Sequence, residues 1–350
     1  MTSKILNNII ISKYDSLKKA LEIFDKSGDK CLVVVDKNQK FAGTLSNGDI
    51  RRSILKKIGL SAKIEKIYNK KSIFFYDNKY TNENLIKIFT KRKIDIIPII
   101  NNKRKIVDIK KYYEFISDEK IKINVPVVIM AGGQGTRMKP FTNILPKPLI
   151  PINNKTVIEH IMDNFLKYNI NNFYFSLNYK SKILKTYLSE LKSIFKIKFL
   201  TEKKELGTIG ALRLLRNKIK KPFFVINCDT ILNIDYLEFY NFHKKNKFDI
   251  TIVASSKEFQ IAYGSIELMK NGTLKEIKEK PKYDFLVNTG FYIIDPKLIN
   301  LIPQNKKFDF NEFIYLIKNN KYKIGVFPVS DENWMDVGGW SEYQNTLSKL

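Results

Sequence analysis

The sequence predicts an α/β protein in two parts, in which a doubly wound, mostly parallel sheet follows a smaller α/β region built from two similar halves. Three observations predict this class. From about Pro126 onward, continuous apolar runs alternate with amphipathic helical patterns. Before that point, an order of helix, strand, turn and strand recurs with a period of roughly 55–60 residues. A glycine-rich loop follows the first apolar run of the second part.

The repeated region is predicted to span residues 1–118, with halves at about 1–58 and 59–118. Neither half can bury its apolar face alone, so the two should pack against each other. The predicted helices are Ser16–Ser27, Glu83–Lys91 and one beginning near Lys110, and the predicted strands are Lys30–Val35, Phe41–Leu45, Asp95–Ile100 and Lys105–Ile109. The polar, Lys-rich residues 119–125 are the predicted junction.

Residues 126–350 are predicted to form the larger domain. Continuous apolar strands between amphipathic helices favour a sheet that is covered on both faces. The predicted strands are Val125–Met130, Asn172–Leu177, Lys196–Leu200, Pro222–Asn227 and Asp249–Ala254, with helices near Val157–Tyr168, Lys180–Leu191, Ile209–Asn217 and Tyr236–Lys245. Ligands of such sheets bind at the carboxyl ends of the strands, so we expect the functional residues there.

The charge of the chain is unusual, because 62 basic residues against 35 acidic ones give a formal net charge of +27. A basic footprint is the first sign of nucleic-acid binding. Here only seven of the basic residues are Arg, and the lysines are spread evenly without a recognised nucleic-acid-binding motif. We interpret the excess as solvated surface that also attracts anionic substrates, and we expect no nucleic-acid partner.

The cysteines and the N-terminus predict a cytoplasmic protein. Cys31 and Cys228 both lie in apolar runs, which favours buried free thiols over a disulfide. The N-terminus lacks the apolar segment of a signal peptide, and no apolar run is long enough to span a membrane, so no membrane partner is expected. His160 and His243 lack metal-ligand spacing, so any metal should be held by carboxylates.

The glycine loop Ala131–Arg137 predicts nucleotide chemistry. A strand that ends in glycines presents backbone N–H groups to phosphate oxygens, and Gly132, Gly133 and Gly135 would let the main chain approach them closely. Arg137 would add a bidentate cation. The spacing excludes two familiar loops, since the third glycine of a dinucleotide-binding fingerprint is missing and no Lys-Ser or Lys-Thr closes a P-loop.

The loop and the motifs that follow it resemble the sugar-1-phosphate nucleotidyltransferases, whose signature is Gly-Gly-x-Gly-Thr-Arg, Pro-x-Thr and Pro-Lys-Pro. The resemblance extends from about Pro126 to the C-terminus and implies a Rossmann-like nucleotidyltransferase sheet. Its later motifs are Glu205-Leu206-Gly207-Thr208-Ile209-Gly210-Ala211-Leu212, Asn227-Cys228-Asp229, Glu279-Lys280-Pro281, Asn288-Thr289-Gly290 and Trp334-Met335-Asp336-Val337-Gly338.

The resemblance implies transfer of a nucleotidyl group from a nucleoside triphosphate to a sugar-1-phosphate, with release of pyrophosphate. An ionised phosphate attacks the α-phosphorus, so the enzyme mainly aligns and neutralises two polyanions. The implied catalytic residues are Arg137, Lys147, Asp229 and Lys280, and Asp229 and Asp336 would hold Mg²⁺. The alternative for Asp229, a strand-end turn or cap, is left open.

The remaining site residues follow from the same resemblance. Ala131, Gly132, Gly133, Gly135, Thr136 and Arg137 would contact the nucleotide phosphates, and Gly207, Thr208 and Gly210 would contact the base. A simple helix cap at Thr208 is compatible with that role. Lys147, Gly264, Glu279, Lys280 and Asn288 would contact the sugar phosphate.

The N-terminal repeat resembles a tandem cystathionine-β-synthase (CBS) domain pair, a module that commonly binds adenine nucleotides. Gly43, Ser46 and Asp49 match its ribose-binding spacing, so Ser46 and Asp49 are candidate contacts for a regulatory nucleotide. The second half lacks this spacing, so at most one ligand site is expected. Two alternatives stay open: a pair used only for dimerisation, and an Asp49 that only caps a helix starting at Ile50.

A CBS pair fused ahead of this transferase resembles the glucosamine-1-phosphate guanylyltransferases of bacterial nonulosonic (legionaminic) acid biosynthesis. The predicted reaction is therefore GTP plus glucosamine-1-phosphate to GDP-glucosamine and pyrophosphate, in a homodimer or higher homo-oligomer. The alternatives are a mannose-1-phosphate guanylyltransferase, another hexose-1-phosphate uridylyl- or cytidylyltransferase, and a catalytically silent nucleotide-sugar sensor subunit.

Overall fold

The structure is a computed structural model that describes residues 7–92, 94–115, 123–191, 195–202 and 204–348. The chain divides into two compact units, one formed by Met1–Glu119 with Glu258–Asp284 and the other by Lys120–Lys257 with Phe285–Leu350. Most of the predicted junction 119–125 lies outside the described residues. No helix within the described ranges is long and apolar enough to cross a membrane.

The first unit contains two small sheets with the same internal order. In each sheet a short strand runs parallel to the central one, which pairs antiparallel with the third. The first sheet contains β1 (Ile10–Ser12), β2 (Cys31–Val35) and β3 (Phe41–Ser46), with helices α1 (Leu17–Ser27) and α2 (Asn47–Leu55). The second contains β4 (Phe75–Tyr76), β5 (Ile96–Ile100) and β6 (Ile106–Lys111), with helix α3 (Asn82–Arg92).

Matching turns support the internal repeat. Asp36 Oδ1 accepts hydrogen bonds from the N–H groups of Asn38 (2.8 Å) and Lys40 (2.9 Å) between β2 and β3. Asn101 Oδ1 closes the corresponding turn between β5 and β6 in the same way. Aspartate and asparagine favour such turns because their side chains bond their own backbone two residues on. The two halves are therefore built on the same hairpin chemistry.

Two predictions for this unit are wrong in detail. The predicted helix near Lys110 is absent from the described residues, because β6 continues through Lys111 and is followed by one 3₁₀ turn. Lys111 is held there by a buried ion pair with Asp29 (2.8 Å). The second correction concerns the start of α2, which begins at Asn47 with Ser46 as its N-cap. Asp49 does help to cap this helix, but as the third residue of a capping box and not as the residue before a helix starting at Ile50.

The segment Glu258–Asp284 belongs to the first unit. It contains the antiparallel hairpin of β15 (Ser265–Leu268) and β16 (Leu274–Lys278). Glu258 pairs with Lys18 (3.2 Å), and the N–H group of Leu60 donates to Asp284 Oδ2 (3.1 Å). These contacts join the two ends of the segment to the N-terminal repeat.

The second unit is built on a sheet with seven strands within the described residues, in the order β11-β10-β7-β12-β17-β14-β18. The first four strands in this order are parallel, β17 is antiparallel to β12, and β14 and β18 are parallel. The strands are β7 (Val127–Met130), β10 (Asn172–Leu177), β11 (Lys196–Thr201), β12 (Phe223–Asn227), β14 (Ile250–Gln260), β17 (Lys282–Ile294) and β18 (Ile324–Ser330). The prediction of a mostly parallel α/β sheet is confirmed.

Helices and short strand pairs surround this sheet. The helices are α4 (Phe141–Ile144), α5 (Val157–Leu166), α6 (Ser181–Glu190), α7 (Gly207–Gly210), α8 (Tyr236–Asn246), α9 (Phe310–Asn319) and α10 (Trp340–Leu347). The short pairs are β8 (Pro151–Ile152) with β9 (Lys155–Thr156), and β13 (Thr230–Leu232) with β19 (Trp334–Asp336). The predicted helix Ile209–Asn217 is wrong in form, because α7 passes into a 3₁₀ segment, Ala211–Leu215, that ends before Arg216.

Successive side chains of the central strands point to opposite faces of the sheet and so form two hydrophobic cores. In β12, Phe224 and Ile226 enter one apolar cluster, while Phe223 and Val225 enter the other. All four side chains are fully buried, and each contributes roughly 1.5–3 kcal/mol by leaving water. Because both faces are covered, the sheet is rigid, and the loops at its carboxyl edge start from fixed positions.

Candidate active site

The glycine loop starts at the carboxyl edge of β7. Gly135 has φ +65°, and a Cβ there would lie 2.9 Å from Thr142 Cγ2, so the turn requires glycine. A Cβ on Gly132 would lie 2.6 Å from Glu202 Oε1, whereas a Cβ on Gly133 would meet no atom within 4 Å. Two glycines are therefore fixed by the fold, and Gly133 leaves open space in the cleft.

Lys147 is placed by the 3₁₀ turn Lys147–Leu149, and its side chain is only 8% exposed. Its ammonium group forms an ion pair with Asp229 and lies 3.5 Å from the carbonyl oxygen of Gly338. Asp229 lies two residues after the end of β12, and its backbone carbonyl accepts a hydrogen bond from Val337 N–H (2.8 Å). A buried cation and a carboxylate from distant segments thus meet at the end of β12.

Asp336 lies opposite Thr230 in the β13–β19 pair, beside Asp229. Burial raises the pKa of the Asp336 carboxyl, and the negative charge of Asp229 adds to the rise. The Gly338 N–H group and the cations of Lys147 and Arg137 act in the opposite direction. The two carboxylates are therefore close enough to repel each other, and a divalent cation would relieve that repulsion.

This carboxylate pair fits Mg²⁺ better than a metal that needs an all-protein cage. Mg²⁺ takes oxygen ligands, usually one or two carboxylates together with substrate phosphates. In the described part of the chain, no three His, Cys, Asp or Glu side chains converge as a metal site. Burial raises the pKa of the neighbouring Cys228 thiol to about 12, and sulfur is in any case a soft donor, whereas Mg²⁺ prefers oxygen ligands.

On the other side of the cleft, the loop around Gly207 is held by the start of α9. The backbone N–H of Thr208 donates to Asp309 Oδ1 (3.1 Å), and a Cβ on Gly207 would lie 2.6 Å from the same oxygen. Asp309 therefore fixes the loop predicted to contact the base. Gly210 is buried in this arrangement, and its N–H group donates to the Phe308 carbonyl oxygen (3.0 Å).

Glu202 is a functional candidate that the sequence analysis missed. It follows β11, is 8% exposed, and accepts hydrogen bonds from the Ser176 hydroxyl and from Leu206 N–H (3.0 Å). Its carboxylate lines the same cleft as Gly207. A carboxylate at a strand end was the available signal, but only the pairing of β10 with β11 brings Ser176 beside it.

Most of these residues line a cleft with a volume of about 390 Å³, whereas Asp336 and Gly210 are not among its lining residues. It brings together the predicted residues Gly132, Gly133, Gly135, Thr136, Arg137, Lys147, Gly207, Thr208 and Asp229. Ser176, Glu202, Lys307 and Asp309 also line the cleft and were not predicted, and Glu205 and Asn227 belong to motifs of the resemblance but were not assigned a contact. Ala131, the first residue of the glycine loop, is buried and does not line the cleft. The cleft thus combines backbone N–H groups and cations with carboxylates on two sides.

The predicted sugar contacts beyond Lys147 lie elsewhere in the chain. Gly264, Glu279 and Lys280 belong to the first unit and are exposed, and a Cβ on Gly264 would lie 3.1 Å from Glu279 Oε2. Asn288 belongs to the second unit, where its amide donates to the Tyr292 hydroxyl (3.0 Å). Gly264 and Glu279 are therefore neighbours. The roles of all four as sugar contacts stay predictions.

In the N-terminal repeat, Ser46 and Asp49 bond to each other. Asp49 Oδ2 accepts hydrogen bonds from Ser46 N–H (2.8 Å) and from the Ser46 hydroxyl (2.6 Å), forming a capping box at the start of α2. Arg52 pairs with the other carboxylate oxygen (2.6 Å). The two candidate contacts for a regulatory nucleotide thus also have a structural role.

Two known protein families match parts of this sequence. The nucleotidyl transferase family matches residues 126–350, and the CBS domain family matches residues 1–56. A mannose-1-phosphate guanyltransferase of Yarrowia lipolytica is 33% identical over 63% of this chain, and the match covers 65% of that relative, which is less than two thirds of its length. A D-glycero-α-D-manno-heptose 1-phosphate guanylyltransferase of Campylobacter jejuni is 29% identical over 63% of this chain and 97% of that relative.

A solved structure agrees with the sequence matches. HddC from Yersinia pseudotuberculosis is 27% identical, covers 64% of this chain and 99% of its own, and superposes with a TM-score of 0.51. The same protein complexed with GMP-PN gives a TM-score of 0.50. Since the family match covers well over half of the sequence and includes the whole cleft, this chain, which also carries an N-terminal CBS domain, belongs to the nucleotidyl transferase family.

Proposed function

We propose that the protein transfers the guanylyl group of GTP to a sugar-1-phosphate, forming a GDP-sugar and pyrophosphate. The named relatives from Yarrowia lipolytica and Campylobacter jejuni are guanylyltransferases that act on sugar-1-phosphates. HddC, a related structure, has been solved with GMP-PN. These likenesses support the reaction class, and one residue of the cleft supports the choice of base.

That residue is Glu202. The Watson–Crick edge of guanine presents two adjacent donors, N1–H and the 2-amino group, and an ionised carboxylate has two oxygens that accept them. Uracil presents one N–H group between two carbonyl oxygens, which a carboxylate would repel. Each Glu202 oxygen already accepts one hydrogen bond, from Ser176 or Leu206, and keeps a lone pair for a base. The buried carboxylate therefore favours guanine.

The phosphate side of the cleft would align the reactants. An oxygen of the sugar phosphate attacks the α-phosphorus, a new P–O bond forms, and the bond to the departing pyrophosphate breaks. The attacking phosphate is ionised near neutral pH, so no general base is needed. The N–H groups of the glycine loop and the Arg137 guanidinium would bind the triphosphate, and Lys147 would stabilise charge near the α-phosphate.

Mg²⁺ is the cofactor that this site fits. Asp229 and Asp336 would hold it, and the bound ion would neutralise and orient the triphosphate oxygens. Asp229 also pairs with Lys147, which keeps the ammonium group at the end of β12. The two aspartates therefore position both a metal ion and a protein cation around the reacting phosphates.

We also propose an acceptor sugar and a regulatory role for the N-terminal repeat. Glucosamine-1-phosphate, in a nonulosonic acid pathway, is the acceptor predicted from the domain combination, whereas the named relatives act on mannose- and heptose-1-phosphates. Glu279 and Lys280 would contact the sugar phosphate. A nucleotide bound at Ser46 and Asp49 would regulate the reaction. The proposed domains are the N-terminal repeat at residues 1–118 and the larger domain at residues 126–350, joined by a junction at residues 119–125.

A substrate grid tests the proposal. Pyrophosphate release with Mg²⁺ is measured for GTP, UTP, CTP, ATP and dTTP, each against glucosamine-, mannose-, heptose- and glucose-1-phosphate. We expect GTP to be the productive nucleotide, and Glu202→Gln to lower kcat/KM for GTP by about 10–100-fold, since a hydrogen bond to a charged group contributes about 1.5–3 kcal/mol. Glu190→Gln, the same change at an exposed carboxylate of α6, is the control and should leave kcat/KM unchanged.

Two outcomes would contradict the proposal. Preference for a nucleotide other than GTP in the wild-type protein would remove the role of Glu202 in base choice. Binding of GTP without turnover of any acceptor would favour the silent sensor subunit instead. In that case, calorimetric binding of GDP-sugars would be the decisive measurement.

A further inference from the structure

The β15–β16 hairpin carries an exposed apolar face. The register pairs Ile266 with Ile277 and, after a shift between Glu267 and Leu268, Leu268 with Leu274, so these four side chains lie on one face of the two-stranded sheet. They are 62%, 58%, 63% and 49% exposed, in that order. Contiguous exposed apolar patches in soluble proteins mark interaction sites. We call this surface, formed by Ile266, Leu268, Leu274 and Ile277, the hairpin face.

The opposite face of the hairpin is polar. Glu267 pairs with Lys275 (2.9 Å) and Lys278 (3.0 Å), and Lys278 also pairs with Glu276 (3.0 Å). These ion pairs are exposed and suit contact with water. The hairpin therefore has one face made for solvent and one face that an apolar partner would cover.

The net charge around the hairpin indicates which kind of partner would bind the hairpin face. The segment Glu258–Asp284 contains five lysines and five carboxylates, and so has no net charge in a chain whose formal net charge is +27. An acidic partner would be recognised by an excess of cations, which this segment lacks. Elsewhere, the positive charge opposes the approach of a second copy, whereas the neutral hairpin does not.

We propose that the hairpin face binds the hairpin face of a second copy of this chain. A two-fold contact uses the same patch on both sides, so the patch must be apolar against apolar and free of net repulsion. The hairpin face meets both conditions. Met269, 53% exposed, and Tyr263, 79% exposed, lie just beyond the two ends of β15 and add exposed apolar surface beside the hairpin face.

Sedimentation of the full chain over a concentration series tests the contact. We expect a dimer, and we expect the double variant Ile266→Gln, Leu268→Gln to raise its dissociation constant at least about tenfold, since truncating central apolar anchors costs at least 1–2 kcal/mol. The double variant Glu267→Gln, Lys275→Gln, on the polar face, preserves the net charge and should leave the constant unchanged. Thermal melting of each variant checks that it is folded.

Cysteine cross-linking tests the same face without weakening it. Cys31 and Cys228 are both buried, so an introduced surface cysteine reacts with little background. Under mild oxidation, Ile277→Cys should form an intermolecular disulfide, and Glu276→Cys, on the polar face, should not. A monomer at every concentration, a dimer unaffected by the glutamines, or equal cross-linking from both cysteines would overturn the proposal. Binding to anionic vesicles that the glutamines abolish would reassign the face to a membrane.

Discussion

The glycine-loop cleft and the segment Glu258–Asp284 are predicted to serve the same reaction, but they are built in different ways. In the cleft, Lys147 is 8% exposed and pairs with Asp229, and Gly135 could not carry a side chain without a clash. In the segment, Glu279 and Lys280 are exposed. The difference indicates that the predicted nucleotide side is fixed by the fold, while the predicted sugar contacts of this segment are individual exposed side chains.

The largest expected effect comes from removing the carboxylate at the centre of the cleft. Asp229→Asn should lower kcat/KM by about 10²–10³-fold or more, because it removes the charge of the proposed Mg²⁺ ligand and the ion-pair partner of Lys147. Pyrophosphate release over a Mg²⁺ series measures this. Asp163→Asn, which removes an exposed partner of Lys155 (2.6 Å), is the control. A loss of less than tenfold would show that the cleft does not depend on this carboxylate.

The next effect tests the exposed side of the comparison. Lys280→Met should raise the KM for the sugar phosphate by about 10–100-fold, as expected for the loss of one charge-assisted contact, and leave the KM for GTP unchanged. The folded state should be unaffected, since Lys280 is exposed. Steady-state kinetics with each substrate varied in turn separates the two constants. Lys270→Met, in the turn between β15 and β16, is the control. An equal shift in both constants would contradict the prediction.

Substitutions at two glycines of the loop should have different effects, one on the stability of the fold and the other on GTP binding. Gly135→Ala should lower the free energy of unfolding by about 2–4 kcal/mol, because it combines a positive φ with a clash against Thr142. Gly133→Ala should change stability by less than about 0.5 kcal/mol but weaken GTP binding, since its methyl group would enter the open cleft. Urea unfolding and calorimetry measure these quantities. Equal stability loss in both variants would contradict the distinction.

The last effect concerns a buried histidine of the second unit, His243. Burial lowers the pKa of His243 to about 4, although Asp295 and Asp249 act in the opposite direction, and its Nδ1 bonds the Thr251 hydroxyl (2.8 Å). The unfolded chain binds a proton near pH 6.5 that the folded chain does not bind. Stability from this group is therefore complete above about pH 6.5 and falls by about 2 kcal/mol between pH 7 and pH 5.

Tryptophan fluorescence measures this pH dependence, because the chain's two tryptophans, Trp334 and Trp340, both belong to the second unit. His243→Gln should flatten the dependence of the unfolding free energy on pH in this range. His160→Gln, which changes the other histidine of the chain, should preserve it. An unchanged slope in His243→Gln would show that other groups control the acid response.

Much of the fold follows from local patterns. The strand Asn172–Leu177 was predicted with the bounds it has in the structure, because an apolar run lies between polar turns. The hairpin Ser265–Leu268 and Leu274–Lys278 was not predicted. Its apolar residues face solvent, and single alternating positions among charged residues give a weak signal. The 3₁₀ form of Ala211–Leu215 was also missed.

The candidate site shows a similar division. The glycine loop, Lys147 and Asp229 were predicted to lie together because motifs at the carboxyl ends of parallel strands share one edge, and the cleft brings them together. Glu202 and Asp309 were missed. Their positions depend on contacts between segments far apart in sequence, such as the bond from Thr208 to Asp309, which no local pattern encodes.

The capping box at Ser46 has a consequence for any ligand of the N-terminal repeat. The Asp49 oxygen that a ribose hydroxyl would seek already accepts two hydrogen bonds from Ser46. A ligand that binds Asp49 would compete with the hydrogen bonds of the first turn of α2. Ligand binding would therefore change how often that turn opens. Amide hydrogen exchange at Ser46 and Asp49 would then report the ligand directly, even if neither small sheet moved.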